Sequence, residues 1–435
     1  MAHGMIDSNK EIPHLRRLLQ HLAKVLDAGF SVHLWNGETV PMGATATGGL
    51  GLAIADPGVI ASLLRRPSMT NLVELFAAGR VTIIGGTLLD LAAQRGTMRS
   101  KGLWRRLDKR LVLRELWPFL FVPRGVAAAT GFAGAIASNA AEGRDDKALV
   151  QFHYDLSNDF YALFLDPSMQ YSCAYYPHWD ASLEEAQQSK LDMICRKLRL
   201  QPGERFLDIG CGWGGLVLHA AQHFGVSAHG VTLSHEQFEF VQRRIAALGL
   251  ADRVKVELKD FRELTGTCDK IASVGMFEHV GIDNHPAYFA QMNVLLRPRG
   301  LLLNHAIARP AKRANFRRKR AEYAALTRYI FPGGELDHIG MSLDNLEKHG
   351  FEVHDVEAWR EHYGRTCRLW TQRLHARQAE AEGMVGAAKT RLWLLYLAGC
   401  ALAFERGAVG IFQTLASKKA KGPSGLPPTR GDLYR

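Results

Sequence analysis

The chain has 435 residues, of which 47% are hydrophobic and 22% charged, and a formal net charge of +11. That balance excludes wholesale disorder, and the length suits two or three domains of roughly 150 residues. Six cysteines, none in a C-x-x-C pair, exclude a disulfide framework and a zinc ribbon, so no metal site is expected.

The opening MAHGMIDSNKEIPH lacks the apolar core of a signal peptide, and a cytoplasmic location is expected. The longest apolar run, 392–404, lies between Arg391 and Glu405. Its 13 residues are too few to span a bilayer and read as a buried helix. The positive charge is local. Segments 101–114 and 309–320 carry +5 and +7, which leaves the rest of the chain near neutral and points to an anionic partner surface.

Taken in chain order, residues 1–124 are expected to form a small α+β domain. SVHLWNGETVPMG, 31–43, alternates around Asn36-Gly37 as a hairpin does. A short helix is expected over 71–79 and a strand over 81–86. Helical spacing of Leu103, Trp104, Leu107, Leu111 and Trp117 predicts a basic helix across 101–117, ended by Pro118 and Pro123. Residues 125–147 read as a linker, 148–415 as the main domain and 416–435 as a disordered tail.

In the main domain strands are expected over 205–210, 227–233, 254–259, 270–276 and 301–307. Helices fall between them at 216–225, 234–249 and 285–300. Ser234 reads as a helix start, and glycines 225, 249 and 300 as stops. The alternation implies a doubly wound, mostly parallel sheet with helices on both faces.

FLDIGCGWGG, 206–215, is the most specific local signal. A strand ends at Asp208, and Gly210, Gly212, Gly214 and Gly215 lead into a helix, allowing a ligand to lie against the backbone. An acid directly before the loop suits a cationic amino group. The end of the second strand offers Thr232, Leu233, Ser234 and Gln237 but no ribose-binding acid, which disfavours a nicotinamide dinucleotide. S-adenosylmethionine (SAM) fits better.

Further motifs follow in a fixed order: YSCAY (171–175), MFEHVG (276–281), NHA (304–306), YIFPGGEL (329–336), HYGRT (362–366) and AGCALAF (398–404). With the glycine loop, these make residues 148–412 resemble the cyclopropane-fatty-acid synthase family, which includes the mycolic acid cyclopropane synthases. The resemblance implies a seven-stranded SAM-dependent methyltransferase domain. It also implies methylene transfer from SAM to a cis double bond in an acyl chain of membrane phospholipid. The resemblance further implies a carbocation that bound bicarbonate deprotonates.

Carried over residue by residue, the resemblance has bicarbonate held by Glu278, His305, Tyr363 and the backbone at Cys173. The arrangement requires a shared proton or a positively charged His305. Cys173 and Cys400 are its two thiols, the latter a site candidate on resemblance alone and read as core or pocket lining rather than catalyst. For SAM it implies Tyr171, Ser172, the loop Asp208, Gly210, Cys211, Gly212, Trp213, Gly214 and Gly215, then Thr232, Leu233, Ser234 and Gln237, and lastly Asp260, Phe261 and Arg262. Phe277, Tyr171 and Tyr175 are candidate aromatic walls. The chain departs from the family's pattern at Asn304 and Ala306, which flank His305, and at Asp337-His338, where a proline is usual.

Such an enzyme is expected to dock peripherally on the inner face of a membrane with unsaturated acyl chains, through 101–117 and 309–328. A homodimer is compatible with this reading. A C-methyltransferase that stops at a methyl-branched or methylene product stays open as an alternative. Nucleic acid is not an expected partner, because N-P-P-[YF] and Pro-Cys loops are absent and 309–320 carries a single aromatic, Phe316.

Overall fold

The computed structural model describes residues 9–94, 105–125, 156–311, 329–330 and 334–434. Most of the linker 125–147, the start of the basic helix at 101–104 and the basic stretch 312–328 lie outside the described residues. The chain forms two compact units. One comprises Met1–Ala135, Lys319–Ile330 and His375–Gly399, and the other Ile136–Arg318, Phe331–Leu374 and Cys400–Arg435.

The first unit contains a four-stranded sheet, β1 (Ser31–His33), β2 (Thr39–Pro41), β3 (Gly51–Ile54) and β4 (Val81–Ile84), in the order β2-β1-β3-β4. The hairpin forms as its sequence predicts. Val32 pairs with Val40, and Gly37 turns the chain at φ +88°. The expected helix at 71–79 runs Met69–Ala77, started by the Ser68 hydroxyl, which accepts from the Asn71 amide.

The basic helix is interrupted where its periodicity suggests one run. Within the described part of 101–117, Arg105 and Arg106 are helical, the chain bends at Leu107, and a second helix spans Lys109–Leu116, started by Asp108, which accepts from the amides of Arg110 and Leu111. Residues 375–399 belong to this unit instead of continuing the main domain. The Arg391 guanidinium donates two hydrogen bonds, at 3.0 and 2.7 Å, to the Ala77 carbonyl. The apolar run 392–404 lies in a 19-residue helix, Ala387–Glu405, long and apolar enough by those measures to cross a bilayer. Its Leu392, Trp393, Leu397, Ala398, Ala401 and Phe404 are buried in the protein, as in a core helix.

The second unit is built on seven strands: β5 (Arg205–Ile209), β6 (Ser227–Thr232), β7 (Val254–Leu258), β8 (Cys268–Val274), β9 (Leu296–Ala308), β10 (Phe351–Ala358) and β11 (Gly410–Lys418). Their order is β10-β11-β9-β8-β5-β6-β7. β11 is antiparallel to both neighbours, and the other pairings are parallel. The doubly wound, mostly parallel sheet is therefore present. Gly225 and Gly249 end their helices at φ +67° and +64° as expected.

Gly300 ends no helix. The expected helix over 285–300 stops at Leu295, and β9 begins at Leu296, which is buried and pairs with Cys268. Pro298 disfavours helical backbone in the residue before it. The tail from 416 is not disordered where described. β11 continues to Lys418, whose ammonium donates to the carbonyls of Asn293 (2.6 Å) and Leu296 (2.9 Å). Beyond it, Arg430 pairs with Asp355, and Leu433 is buried.

Candidate active site

The strand order reverses between β5 and β8. In open α/β sheets ligands bind in the crevice that such a reversal leaves at the carboxyl ends of the strands. Here that crevice is a cleft walled by Asp208–Trp213 at the end of β5 and after it, Val231–Leu233 at β6, and Val274, Gly275 and Met276 at β8. Tyr171, Ser172, Gln237 and Phe261 complete the part of the wall the sequence foresees.

The remaining foreseen residues support the wall without lining it. Gly214 is the left-handed cap of the helix Gly215–Phe224, and a Cβ on it would meet Val241 Cγ1 at 2.7 Å. A Cβ on Gly215 would lie 1.7 Å from the Gln170 amide nitrogen. The Ser234 hydroxyl accepts from the Gln237 amide and starts the helix His235–Ala247. Asp260 and Arg262 pair with each other at 2.6 Å.

Asp208 is 2% exposed, and its Oδ1 has no hydrogen-bond partner. Burial pushes its carboxyl up to about 7, against the pull of Lys190. A Cβ on Gly212 would meet nothing within 4 Å, so that side of the loop is open. A buried unsatisfied acid beside a backbone cradle fits the amino end and ribose of SAM.

Lys190 is not foreseen by the sequence motifs. It lies on the helix Leu183–Lys197, whose positions 183, 187, 190, 194 and 197 all face inward. A lysine at such a core position is the sequence signal that could have marked it. Its ammonium donates to Gln170 Oε1 (2.5 Å) and Ser172 Oγ (2.9 Å), and burial lowers its pKa to about 8. Lys259 and His279 also line the cleft; Lys259 lies outside the motifs, and His279 lies within MFEHVG but has no role assigned from the sequence.

Glu278 stands on the one-turn helix Phe277–Val280, 3% exposed. Its Oε1 accepts from the Ile307 amide at 2.7 Å, and its Oε2 has no partner. Burial raises its pKa to about 7, aided by the charge of Asp337. His305 is fully buried on β9, edge-on to Trp359 at 5.1 Å between ring centroids. Burial and then the charges of Lys190 and Lys197 hold it well below the ordinary histidine range, so it is uncharged. Of the two proton arrangements considered from sequence, these surroundings favour the shared proton over a positively charged His305.

Tyr363 lies on the helix Arg360–Ala376. Burial keeps its hydroxyl protonated. Its ring packs on Phe404 (4.5 Å) and Trp370 (6.0 Å), and Trp370 packs on Tyr171 (5.2 Å), which lines the cleft. Aromatic faces thus run from the cleft to Tyr363. Phe277 is instead core, stacked on His285 at 3.9 Å, and Tyr175 stacks on His362 at 5.1 Å.

The Cys173 thiol is fully buried, donates to the carbonyls of Ala174 (3.3 Å) and Trp359 (3.7 Å), and is held protonated by burial. Cys400 acts electrostatically on Cys367 and does not line the cleft.

The family model for mycolic acid cyclopropane synthetase matches residues 142–414. The chain belongs to that family. It is 44% identical over 298 residues to a probable fatty acid methyltransferase of Pseudomonas putida, covering 67% of this chain and 75% of that protein. It is 40% identical over 266 residues to the cyclopropane-fatty-acyl-phospholipid synthase of Escherichia coli, covering 61% of this chain and 66% of that one. The mycolic acid cyclopropane synthase CmaA1, solved with SAH and CTAB, superposes with a TM-score of 0.60 at 35% identity, covering 64% of this chain and 100% of that one.

As a cyclopropane synthase family member the chain is a SAM-dependent transferase, and the cleft at the β5–β8 reversal offers residues whose chemistry fits the methyl donor. Lys190 and Tyr171 connect this cleft to the buried acid–histidine site. Lys190 lines the cleft and its ammonium opposes protonation of His305, while Tyr171 lines the cleft and packs on Trp370, which packs on Tyr363.

Proposed function

We propose that the chain transfers a methylene unit from SAM to the cis double bond of an unsaturated acyl chain in membrane phospholipid, closing a cyclopropane ring, with bicarbonate as base. The observation that carries this reading is the pair of buried polar atoms without partners, Glu278 Oε2 and His305 Nε2, behind a cleft fitted to SAM. An anion is the natural occupant. Glu278 titrates near 7 and can keep a proton beside it, His305 is uncharged, and Tyr363 retains its hydroxyl proton.

An isolated alkene is a weak nucleophile and needs alignment in a dry pocket. SAM, when bound, supplies an electrophilic methyl. Asp208 holds the cationic amino end, the glycine loop lies along the ribose side, and Tyr171, Trp370 and Tyr363 present faces that stabilise developing positive charge. Bicarbonate, when bound, supplies a base too small for water to displace. Glu278, His305 and Tyr363 orient it by hydrogen bonds, and the backbone at Cys173 is the fourth contact.

Access to the lipid is proposed through 101–117 and 309–328 on the cytoplasmic face of the membrane, with the protein peripherally bound and able to act as a homodimer. The exposed Leu113 (72%), Trp117 (63%) and Phe121 (73%), set among exposed arginines and a lysine, support the first of these segments.

A second reading, transfer without ring closure to give a methyl-branched or methylene chain, is favoured by the 44% identity to the Pseudomonas protein named a probable fatty acid methyltransferase. Expression in a host lacking such lipids, followed by NMR of the extracted fatty acids, separates the two. High-field cyclopropane protons are the expected result, and methyl-branch or exomethylene signals in their place would establish the second reading. Unaltered chains would overturn both.

A further inference from the structure

His305 faces Gln413 across the antiparallel β9–β11 pair, and Gln413 faces Glu357 of β10 on its other side. Gln413 Nε2 lies 3.3 Å from His305 Nδ1, and Gln413 Oε1 accepts from Lys197 Nζ at 2.9 Å. His305, Gln413 and Lys197 are all at most 1% exposed. Lys197 also pairs with Glu357, and its Nζ lies 3.9 Å from Asp355 Oδ2 and 5.3 Å from the Trp359 ring centroid.

Donor and acceptor chemistry fixes the direction of every bond in this row. An ammonium has only donors, so the oxygen of the Gln413 amide faces Lys197 and its nitrogen faces His305. An amide NH₂ only donates, so His305 Nδ1 accepts and carries no hydrogen. The single proton of a neutral imidazole is then on Nε2, the ring atom without a protein partner.

We propose that Lys197 and Gln413 are positioning residues that fix His305 as its Nε2–H tautomer, so that its free edge offers a hydrogen-bond donor to a small anion. This rests on the proposed role of His305 in the anion site. His305 then orients the anion and does not itself remove a proton from the lipid. Lys197 is needed because Gln413 alone could turn over and present its oxygen. The turned-over amide would set an NH₂ against a buried ammonium and favour the opposite tautomer.

The groups that face the imidazole act in the same direction. Lys190 and Lys197 from the helix Leu183–Lys197 both oppose its protonation. Asp355 and Glu357 of β10 are neutralised through Lys197, and Arg430 also pairs with Asp355. Glu278 meets β9 at the Ile307 amide, two residues from His305.

Long-range ¹H–¹⁵N NMR of the full chain with ¹⁵N-labelled histidine reads the tautomer directly, the His305 signals being assigned by their loss in His305→Asn. One protonated ring nitrogen, Nε2, is expected, with no titration from about pH 6 to 8. Gln413→Glu, nearly isosteric, sets an acceptor against Nδ1. It is expected to move the proton there and to lower kcat roughly 10–100-fold with the KM for SAM unchanged. Lys197→Met frees the amide and is expected to give a mixture of tautomers, with Lys197→Arg restoring the original one.

An Nδ1–H tautomer in the parent protein, an unmoved proton in Gln413→Glu, or a moved proton with unchanged kcat would each overturn the proposal. The tautomer is measured without substrate. An Nε2–H signal in a protein that modifies no lipid would therefore defeat the functional reading alone, whereas active protein with Nδ1–H would defeat this inference alone.

Discussion

The carboxyl of Glu278 is tied to the Ile307 amide by one oxygen, Oε1 at 2.7 Å, and its other oxygen is left without a protein partner. Ile307 follows His305 by two residues on β9, so a single strand sets the height of the acid and the histidine together. In Glu278→Gln the amide oxygen still accepts from Ile307, and the fold is preserved. What is lost is the group that can share a proton with an anion. A fall of about 10²–10⁴ in kcat is expected, with SAM affinity unchanged, measured by lipid product formation and by calorimetric titration. Unchanged lipid modification would remove Glu278 from the proposed anion site.

Asp208 predicts a pH signature of cofactor binding. Its folded pKa of about 7 lies above the ordinary 3.8, so the empty folded protein holds a proton there that the unfolded chain releases. Pairing with a cationic amino group favours the carboxylate. SAM binding should therefore release a proton near pH 6, and affinity should rise with pH up to about 7. Titration enthalpies that vary with the ionisation enthalpy of the buffer are the measurement.

The same shift has a stability cost with a defined sign. Because the folded state binds the extra proton, this group lowers stability as pH rises from about 4 to 7. Asp208→Asn should then raise stability at pH 8 by about 2–4 kcal/mol while abolishing SAM binding. Denaturant titration at pH 5 and pH 8 tests it, and a gain of equal size at both would contradict the assignment.

Two glycines in one loop should fail in different ways. Gly212 has φ +55°, and a methyl added to it would meet nothing within 4 Å, so Gly212→Ala should cost only about 1 kcal/mol of stability and yet weaken SAM binding. Gly214→Ala would set a methyl 2.7 Å from Val241 Cγ1 on a fully buried side chain. It adds overpacking of about 1–3 kcal/mol to the backbone strain. Melting temperatures and SAM affinities of the two variants separate them.

The exposed apolar side chains of the first unit give a membrane prediction. Replacing Leu113, Trp117 and Phe121 together by Asp should abolish sedimentation with anionic vesicles. Replacing Arg110 and Arg114 by Ala should cost about 1 kcal/mol each and lose its effect at high salt. Equal binding of all variants would remove this surface from lipid contact.

The cofactor loop, most strand positions and the helix caps are legible in the sequence because each is a local device. Asp208 and its glycines act within eight residues, and Ser234 caps its own helix. Glu278, His305 and Tyr363 are reached through resemblance, since nothing in their local spacing distinguishes them from core residues. Lys190, Lys197 and Gln413 are not legible because their meaning is tertiary. Lys197 meets Gln413 across 216 residues of chain, and a polar side chain on an inward helix face declares itself only when its partner is known. The end of the helix His285–Leu295 escapes the sequence for a related reason. The stretch after it is helix-compatible by composition, but pairing with β8 and Pro298 draw it into the sheet.

The late strand β11 lies between β9 and β10, not at an edge. During synthesis the cleft-forming strands β5 to β8 emerge well over a hundred residues before the segment that backs His305, and until Gly410–Lys418 is inserted the histidine has no Gln413 behind it. The walls of the cleft are thus laid down before the backing of the histidine, and the last strand to be made is the one that completes the anion site.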